Sequence, residues 1–574
     1  MDLDSGPLPG QFRRVDATCN GGGRTGADTP WTTYQAEAMM TNGLVMGPQY
    51  TAHHVETEAS GQMCVMLADV GGFVEFAAAA EANALVVRYS LPDSKEGAGV
   101  ESALTLFVNG RQVRELALSS RYSRLYGNYP FTNNPADGKD RNFYDEIRVK
   151  DLQISRNDVI RLQKDAPDGF YCIVDLVDLE NVPAPLAAPA NSLSVLDFGA
   201  GGEGKTDDTV SLKNCIAEAK KQGKIVWVPA GDYKVTGDIL PPSSVTIQGA
   251  GMWHTTFVGD PNLYSKADRR VRFKLSGRQI HLADFAIIGK LNYRNDDETN
   301  DGIMGAGCSD STVSRIWVEH TKVGAWIYCG TNLLIDGCRF RNLLADGVNL
   351  CVGTSETVVQ NCSARGTGDD CFAMWPAVTD RGFVEQSPRP GNNVFRHCTG
   401  QLPFLANGGA IYGGMNNRIE QCLFTDISTG CGILLSSTFP TSDENRKIDN
   451  NFSGTTVVRN CELVRCGGDD HDSSWRAALQ LCVDRRSISG LLLRQITIRD
   501  SISDGLSVVA PGSAKGEGTL SNTRLEQVNI SNSGIGAPAR HDLWIRADAV
   551  GGLTVANSNI VDIKNDSVNF TVAV

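Results

Sequence analysis

Three aspartates have both the chemistry and the spacing of an active site. Asp369 and Asp370 are adjacent in the stretch ARGTGDDCFAMW, and Asp346 precedes them in the sequence. Adjacent carboxylates repel, so a fold that keeps both must pair them, protonate one or use them. Asp346 and Asp370 are separated by the same interval as Cys338 and Cys362, which hold equivalent positions of a repeat. With strands stacked about 4.8 Å apart, this register places Asp370 one rung from Asp346, and three carboxylates converge.

Converging carboxylates suit the hydrolysis of glycosides. Their repulsion splits their pKa values, so that one acid keeps its proton while the others are ionised. Hydrolysis with inversion needs this division, because one acid protonates the leaving oxygen while one or two carboxylates activate a water. Inverting enzymes separate acid and base by about 6.5–9.5 Å, which is wider than one rung. The diagonal pair Asp346–Asp369 is longer than the direct stack, so we assign Asp369 as the acid and Asp346 and Asp370 as water activators.

Three further residues are candidates for substrate binding. Trp375 follows the aspartate pair on the same predicted strand, where a partly exposed indole could stack on a sugar face. Tyr412 lies in the segment GGAIYGG, and Asp301 precedes the cluster by two repeat units. Asp504 holds the same register several coils further along the chain, and we interpret it as a structural turn residue. The acidic stretch GGDDHDSS, residues 467–474, is either a calcium loop or a cleft edge, and a solvated loop is the favoured interpretation.

A repeat supplies the elements that position these residues. Aligned segments such as LLIDGCRF, TVVQNCSA and NRIEQCLF share a small or apolar position. The tightest intervals between them lie at the short end of the range of about 20–50 residues that is typical of solenoids. These positions are Ile316, Cys338, Cys362, Cys398, Cys422, Cys461, Ile496, Val528 and Ser558. A second short strand follows in each unit, often after DG or GG. No helical periodicity recurs, so the pattern predicts a right-handed parallel β-helix over residues 193–574.

The remainder of the chain predicts a different fold. Residues 1–180 contain short alternating segments such as ALVVRYSL and ALTLFVNG, which are typical of an antiparallel β-sandwich. Residues 181–192 are rich in Pro and Ala and are predicted to be an extended linker. Residues 207–223 have Asp at the start and Gly at the end of a helical pattern, and we expect this helix to cap the first coil. The whole chain is therefore predicted to be all-β in class.

Composition restricts the partners. The net charge of −13 argues against nucleic acid and anionic membranes, and more weakly against a polyuronate, so a neutral ligand is favoured. No segment is apolar for the roughly 18 residues that a membrane-spanning helix needs. The 16 cysteines show no zinc spacing, and most lie in apolar stretches. The start, MDLDSGPLPG, does not look like a secretion signal, which leaves an intracellular protein or a mature secreted one.

Two sets of motifs resemble known families. The segment LDFGAGGEGKTDDT, which opens the predicted β-helix, resembles the pectate-lyase-like β-helix superfamily. The segments ANALVVRYSLPDS, RYSRLYGNYPF and CIVDLVDLENV resemble glycoside hydrolase family 87, the bacterial α-1,3-glucanases and mycodextranases. The resemblance implies endo-hydrolysis of α-1,3-glucosidic bonds in α-1,3-glucan, with inversion, by a secreted and monomeric enzyme that needs no cofactor for its chemistry. In related families the first Asp of the pair is the acid, which corresponds to Asp369. The His-Gly and Arg-Ile-Lys signatures of polygalacturonases are absent from the sequence.

The predicted sandwich also resembles carbohydrate-binding modules of families 6 and 35. These modules often hold a structural calcium ion with an early Glu and a late Asp. The matching positions are Glu37 and Asp175, and the alternative is that both are ordinary strand residues. Carboxylate oxygens are suitable ligands for such a hard cation.

Other functions remain open at this level. Mycodextranase or dextranase specificity would use the same scaffold. A polysaccharide lyase needs a base for the C5 proton and cations for a uronate, which a cleft dominated by Asp does not favour. A non-catalytic glycan-binding β-helix protein would tolerate Asp→Asn substitutions in the trio of Asp346, Asp369 and Asp370.

Overall fold

The computed structural model describes residues 25–385, 390–470, 474–510, 518–536 and 540–574. Within these residues the chain forms two compact units. Unit 1 consists of residues 29–184 together with residues 292–294, and unit 2 consists of residues 25–28, 185–291 and 295–574. None of the helices in the described ranges has the length and hydropathy needed to cross a bilayer.

Unit 1 is an antiparallel sandwich of two sheets around its own apolar core. Alternating side chains from both sheets, such as Val87, Leu106 and Leu162, are fully buried between them, as expected for aligned sheets. The first sheet contains Trp31–Gln35, Leu44–Met46, Cys64–Leu67, Ala84–Ser90, Asp145–Val149 and Cys172–Glu180. The second sheet contains Met40–Thr41, Gly72–Ala77, Glu101–Val108, Arg111–Ser119 and Val159–Lys164. A small hairpin pairs Leu125–Tyr126 with Asp140–Arg141, and short 3-10 helices cover Ala36–Ala38, Val55–Glu58, Ser60–Gln62 and Pro135–Asp137.

Unit 2 is a right-handed parallel β-helix, which confirms the predicted fold class. Its larger sheet contains Ser192–Ser194, Glu203–Asp207, Ile225–Val228, Gly231–Lys234, Thr246–Gly249, Thr255–Val258, His281–Ile288, Thr312–Glu319, Leu334–Asp336, Arg339–Arg341, Val358–Gln360, Ser363–Arg365, Val394–Arg396, Thr399–Gln401, Arg418–Glu420, Leu423–Ile427, Thr456–Cys466, Ile488–Arg499, Leu520–Ser531, Gly551–Ala556 and Phe570–Ala573. We call the second sheet the site face. The site face contains Asp238–Ile239, Arg272–Leu275, Gly302–Ala306, Ala325–Tyr328, Val348–Cys351, Phe372–Trp375, Gly409–Ile411, Ile433–Ser436, Leu479–Cys482, Leu506–Val509, Leu543–Ile545 and Ile563–Asn565.

The repeat found in the sequence sets the register of the coils. Cys461 pairs with Ile496, and Ile496 pairs with Val528. The backbone carbonyls of Cys338 and Cys362 accept hydrogen bonds from the amides that follow the equivalent cysteine on the next coil, at 2.9 Å in both cases. These inward residues belong to one apolar core that runs through the described part of unit 2. Stacked coils with equivalent inward residues are what a β-helix requires.

The single α-helix among the described residues spans Thr209–Gln222 and ends at Gly223, whose φ of 63° is left-handed. Such a glycine is a common helix terminator because it has no Cβ to strain. The helix buries Leu212, Cys215 and Ile216 against the first coil, as the sequence predicted. Two 3-10 helices, Val195–Phe198 and Ala267–Arg269, belong to the same unit. Among the described residues, three antiparallel strand pairs are inserted between coils: Thr379–Asp380 with Phe383–Val384, Ser442–Asp443 with Ile448–Asp449, and Asp469–Asp470 with Ser474–Trp475.

Candidate active site

The three aspartates of the trio lie in two stacked turns that lead into the site face. Asp346 precedes the strand Val348–Cys351, and Asp369 and Asp370 precede the strand Phe372–Trp375. Val348 pairs with Phe372, and the amide of Gly347 donates to the carbonyl of Asp370 at 3.0 Å. One carboxylate oxygen from each aspartate lies within 4.8 Å of the others. The predicted convergence of the three side chains is therefore present in the structure.

A glycine allows the pair to lie against the coil below. A Cβ on Gly368 would lie 2.3 Å from the carbonyl oxygen of Leu344 and 2.4 Å from the ring of Phe404. Contacts this short do not occur between real atoms, so only a residue without a side chain fits immediately before Asp369. This close approach explains why the aspartate pair follows a glycine in the sequence.

Asp370 is buried and its carboxylate is fully engaged. Its Oδ1 accepts hydrogen bonds from the backbone amide of Asn407 at 3.1 Å and from the Asn407 side-chain amide at 2.8 Å. Its Oδ2 accepts from the hydroxyl of Tyr412 at 2.8 Å. Burial, followed by the negative charge of Asp369, raises the pKa of Asp370 to about 7, against the lowering effect of these hydrogen bonds. Asp370 therefore holds a proton up to near neutral pH.

The other two aspartates differ in their surroundings. Asp346 is also buried, and its Oδ1 accepts a hydrogen bond from the side-chain amide of Asn349 at 3.2 Å. Asp369 is half-buried, and its Oδ1 accepts from the amide of Asp370 at 3.2 Å. Asp369 is thus the most exposed member of the trio and the one best placed to reach a ligand. Three close carboxylates could also hold a divalent cation, although three donors already occupy the oxygens of Asp370.

Aromatic side chains lie beside the trio on the same face. Trp375 is half-buried, with its ring centroid 5.7 Å from that of Phe439. Phe439 is 47% exposed and contacts Tyr412 edge-on at 4.9 Å. The Tyr412 hydroxyl is directed at Asp370, so this predicted substrate ligand contacts the trio itself. An exposed aromatic next to a polar cluster offers a flat apolar surface to a ligand.

Sequence reasoning did not identify Asn407 or Phe439. Asn407 occupies the position of Asp370 on the next coil, since Phe372 pairs with Gly409. Alignment of ANGGAIYGG with GDDCFAMW would have placed the asparagine there. Phe439 lies in an inserted segment, for which the repeat offers no register.

The structure corrects the prediction that Asp301 binds substrate. It lies in the ladder of the trio, two coils before Asp346, as the repeat predicted. Its side chain is 0% exposed, however, and its Oδ1 accepts from the amide of Lys322 at 2.8 Å. Burial raises its pKa, against the opposing charges of nearby basic groups such as Arg270. The side chain offers no surface to a substrate and stabilises the turn instead.

The two remaining acidic positions are structural or partly outside the described residues. Asp504 is buried and accepts from the amide of His541 at 3.0 Å, in keeping with a structural role. Asp470 forms an ion pair with Arg476 at 2.7 Å within a hairpin. His471 lies outside the described residues.

One of the two predicted calcium positions of unit 1, Asp175, already has a basic partner. Asp175 is fully buried, and its Oδ2 forms an ion pair with Arg88 at 2.5 Å. Its Oδ1 accepts from the amide of Ser60 at 2.9 Å. The guanidinium occupies the place that a cation would need, and like charges repel. The calcium prediction for Glu37 and Asp175 therefore has no support in the geometry of Asp175.

Fold and site together define a class of protein, the parallel β-helices with a carboxylate cluster on one face. Residues 28–182 match the family model described as alpha-1,3-glucanase catalytic domain D1, and residues 205–572 match catalytic domain D2. The chain belongs to glycoside hydrolase family 87, the family of the α-1,3-glucanases. The first model assigns unit 1 to a catalytic domain, and glycan binding by this unit remains a prediction.

Solved structures of this family are similar over nearly the whole chain. The Agl-KA catalytic domain is 25% identical with a TM-score of 0.86, covering 96% of this chain and 98% of that one. The catalytic unit of a thermostable GH87 α-1,3-glucanase from Streptomyces thermodiastaticus is 29% identical with a TM-score of 0.81, covering 96% of each chain. A third GH87 catalytic domain is 26% identical with a TM-score of 0.82, covering 96% of this chain and 99% of that one. It was solved as Asp→Ala variants with tetrasaccharides or nigerose.

Curated relatives match only in part. The preneck appendage protein of Bacillus phage PZA is 24% identical over 251 residues, which cover 38% of this chain and 28% of that protein. Alginate lyase 7 of Azotobacter vinelandii is 43% identical over 151 residues, which cover 24% of this chain and 17% of the lyase. The matched segments thus span less than a third of the length of these relatives.

Proposed function

We propose that the protein is an endo-acting hydrolase of α-1,3-glucosidic bonds in α-1,3-glucan and that it inverts the anomeric configuration. The observation that carries the proposal is the convergence of Asp346, Asp369 and Asp370 within 4.8 Å on the site face of a family 87 β-helix. Secretion and a monomeric state are part of the proposal and rest on the family alone.

The substituted aspartates of the similar GH87 domain support this site. In that chain two of the three substituted positions are adjacent, and the third precedes them by the same interval that separates Asp346 from Asp369. Variants of that domain were solved with nigerose and tetrasaccharides. We assign catalytic roles to the three aspartates of this chain at the matching interval.

The mechanism follows from the surroundings of each carboxyl group. Asp369, the most exposed of the three, donates its proton to the glycosidic oxygen as the bond from C1 to that oxygen breaks. Asp346 and Asp370 orient a water molecule, whose oxygen attacks C1 while its proton passes to a carboxylate. The carboxylate that accepted the water proton then releases a proton to solvent, and Asp369 takes one up, which restores the starting state. General acid–base help of this kind typically contributes about 10²–10⁴-fold to the rate.

The third carboxylate favours inversion. Closest oxygens within 4.8 Å lie nearer to the roughly 5–5.5 Å between carboxyl groups in retaining enzymes than to the 6.5–9.5 Å in inverting ones. A retaining enzyme, however, needs only one acid and one nucleophile, whereas this site has three carboxylates, of which Asp346 and Asp370 are buried. Two buried carboxylates next to a half-buried acid suit the activation of water.

A polysaccharide lyase is the second candidate, because a segment of the chain is similar to alginate lyase 7. Lyase chemistry needs a base for the C5 proton and cations that neutralise a uronate. The trio provides carboxylates, which would repel a uronate. The hydrolase is therefore the better supported of the two.

The test is the release of reducing sugar from insoluble α-1,3-glucan, with dextran, nigeran and polygalacturonate in parallel. We expect release from α-1,3-glucan by the wild type and a loss of about 10³-fold in Asp369→Asn, with glucan binding retained. Proton NMR of the first product should show the β-anomer. Viscosity that falls faster than reducing ends appear, on a soluble carboxymethyl α-1,3-glucan, would indicate endo action.

Three outcomes would change the proposal. Activity on dextran or nigeran alone would keep the mechanism and change the linkage. Release of the α-anomer would replace inversion by retention. An inactive wild type on all four polymers would remove the hydrolase proposal.

A further inference from the structure

Two of the inserted strand pairs of unit 2 leave the coils next to aromatic residues of the candidate site. The first inserted pair, residues 379–384, follows the site-face strand that ends at Trp375. The second inserted pair, residues 442–449, follows a segment that contains Phe439. The rings of Trp375 and Phe439 are in contact, with 5.7 Å between their centroids. A residue that joins the two insertions therefore also fixes these rings relative to each other.

Asn450, which directly follows the second inserted pair, forms hydrogen bonds with three separate segments. Its backbone N–H donates to the carbonyl of Thr441 at 2.9 Å, and its own carbonyl accepts from the amide of Gly414 at 2.7 Å. Its side-chain NH₂ group donates to the carbonyl of Pro376 at 3.2 Å. Each of the three partners lies within two residues of an aromatic side chain of the candidate site. These aromatic side chains are Trp375, Tyr412 and Phe439.

The side chain of Asn450 is buried, at 2% exposure, and its orientation is determined by its partners. A backbone carbonyl can only accept a hydrogen bond, so the NH₂ group must face Pro376. The same Nδ2 lies 3.5 Å from a carboxylate oxygen of Glu385, the residue that follows the first inserted pair. The exposed Arg446 adds a second link, because its guanidinium donates to the backbone carbonyl of Glu385 at 2.8 Å. The two inserted pairs are thus joined at two points.

Phe439 depends on such a link more than the other two rings do. Trp375 ends a strand of the site face and Tyr412 directly follows one, whereas residues 437–441 lie outside the strands. The Phe439 ring is 47% exposed, and its only ring contacts among the described residues are with Trp375 and Tyr412. A segment without strand pairing is held by few hydrogen bonds. The bond between Asn450 and Thr441 therefore helps to determine where this exposed ring lies.

We propose that Asn450 is a positioning residue of the substrate site. It joins the two inserted strand pairs and holds the ring of Phe439 against Trp375 and Tyr412, where the ring offers a flat apolar surface to an uncharged glucan. The inference rests on the proposed hydrolase function. Asn450 acts through the rings, so its contribution belongs to substrate binding and not to the chemical step.

The test is the steady-state kinetics of Asn450→Ala, Phe439→Ala and the double variant on a soluble α-1,3-gluco-oligosaccharide. Asn450→Ala should raise KM by about 3- to 10-fold, the effect of roughly one hydrogen bond, and leave kcat within about twofold. In the Phe439→Ala background, the same substitution should change KM by less than about twofold, because the ring that Asn450 positions is already absent.

Three outcomes of this cycle would overturn the inference. A double variant whose KM shows the product of the two single effects would mean that Asn450 and Phe439 act independently. An unchanged KM in Asn450→Ala would mean that the ring does not depend on this residue. A fall in kcat with unchanged KM is what a purely structural loss of folded enzyme would give.

Arg446→Ala provides a second variant, at an exposed side chain whose loss should not prevent folding. It removes the other link between the inserted pairs, so KM should rise by about 2- to 4-fold, and only while Phe439 is present. If Asn450→Ala does not fold, the KM of Arg446→Ala decides, and a wild-type value would contradict the inference.

Asn393→Ala is the matched control for the loss of a buried amide. Asn393 is 3% exposed, accepts from the amide of Thr357 at 3.1 Å and donates to the carbonyl of Thr354 at 3.0 Å. Its substitution should lower the melting temperature and leave KM at the wild-type value. A similar rise of KM in Asn393→Ala would assign the effect of Asn450→Ala to general loosening of the coils and overturn the positioning role.

The two proposals fail in different ways. If the wild type hydrolyses none of the glucans, the proposed function fails. If the wild type is active and Phe439→Ala raises KM while Asn450→Ala and Arg446→Ala do not, only the positioning role fails.

Discussion

Asp370 lowers the stability of the folded chain at neutral pH. Its folded pKa of about 7 lies well above its ordinary value, mainly because of burial and then because of the charge of Asp369. Asp370 therefore binds its proton more tightly in the folded chain than in the unfolded chain, and stability falls as pH rises from about 4 to about 7. Strongly shifted pKa values of this kind, with burial beside a like charge, cluster at functional sites.

Replacement of Asp370 by Asn should remove this pH dependence. The difference in free energy of unfolding between Asp370→Asn and the wild type should shift by roughly 2–4 kcal/mol in favour of the variant between pH 4.5 and pH 8. Hydrolysis should be lost. The measurement is chemical denaturation of both proteins at the two pH values. Asp297→Asn, at an exposed position, serves as the control and should show no such difference. An equal gap at both pH values would argue against a raised pKa for Asp370.

Phe439 is expected to act in binding. It is 47% exposed and packs against Trp375 and Tyr412 near the trio. Phe439→Ala should raise KM by about 5- to 30-fold, the loss of roughly 1–2 kcal/mol of apolar stacking, and should leave kcat within about twofold. Steady-state kinetics on gluco-oligosaccharides would test this.

The control for Phe439→Ala is Leu240→Ala, which truncates another exposed apolar side chain of the same unit, at 52% exposure. Its kinetics should be those of the wild type. A fall in kcat with unchanged KM for Phe439→Ala would place its effect in the transition state and contradict a role in uniform binding.

At the scale of elements, the turn of the aspartate pair depends on Gly368. Gly368→Ala would bring a Cβ to 2.3 Å from the carbonyl oxygen of Leu344, so the turn must move away from the coil beneath. We expect the unfolding free energy to fall by about 1–3 kcal/mol and kcat/KM to fall about 10²-fold, as a displacement near 1 Å can produce. Denaturation and steady-state kinetics measure the two effects.

Gly382→Ala separates this clash from ordinary glycine effects. Gly382 has a φ of 82°, but a Cβ there would meet no atom within 4 Å. Its substitution should cost about 1 kcal/mol of stability and spare kcat/KM. Equal kinetics for both alanine variants would show that the close approach of Gly368 does not position the pair.

The regular coils explain why much of the site could be predicted from the sequence. The cysteine ladder and the aspartates share one interval along the chain, so a single register places both. Asn407 follows Asp370 by 37 residues, because a hairpin is inserted between the two coils. Loop insertion breaks the interval but not the ladder, and only the structure shows which residue returns to the rung.

Burial and ion pairing explain why two predicted ligand positions lack support in the structure. Asp301 has the right register, yet Val323 separates it from Asp346 in the ladder, and its side chain points away from any surface. Asp175 has the right position for a calcium ligand, yet Arg88 occupies its carboxylate. Sequence spacing determines which rung a residue occupies, whereas the partner of a buried charge depends on contacts between distant segments.

At the scale of the whole molecule, net charge selects among polysaccharides. The chain carries a net charge of −13, and the site adds three converging carboxylates. A polyuronate would be repelled over a distance of about 10 Å at moderate salt, whereas an uncharged glucan would not. The charge and the site therefore favour the same substrate class.

Salt dependence should distinguish these substrate classes. Adsorption of the Asp369→Asn variant to insoluble α-1,3-glucan should change by less than about twofold between about 20 and 500 mM NaCl, because screening acts only on charged partners. Polygalacturonate should not bind at low salt, where repulsion is strongest. A steep loss of glucan binding with added salt would point to a charged ligand and to basic groups elsewhere on the surface, and the neutral-glucan assignment would have to be abandoned.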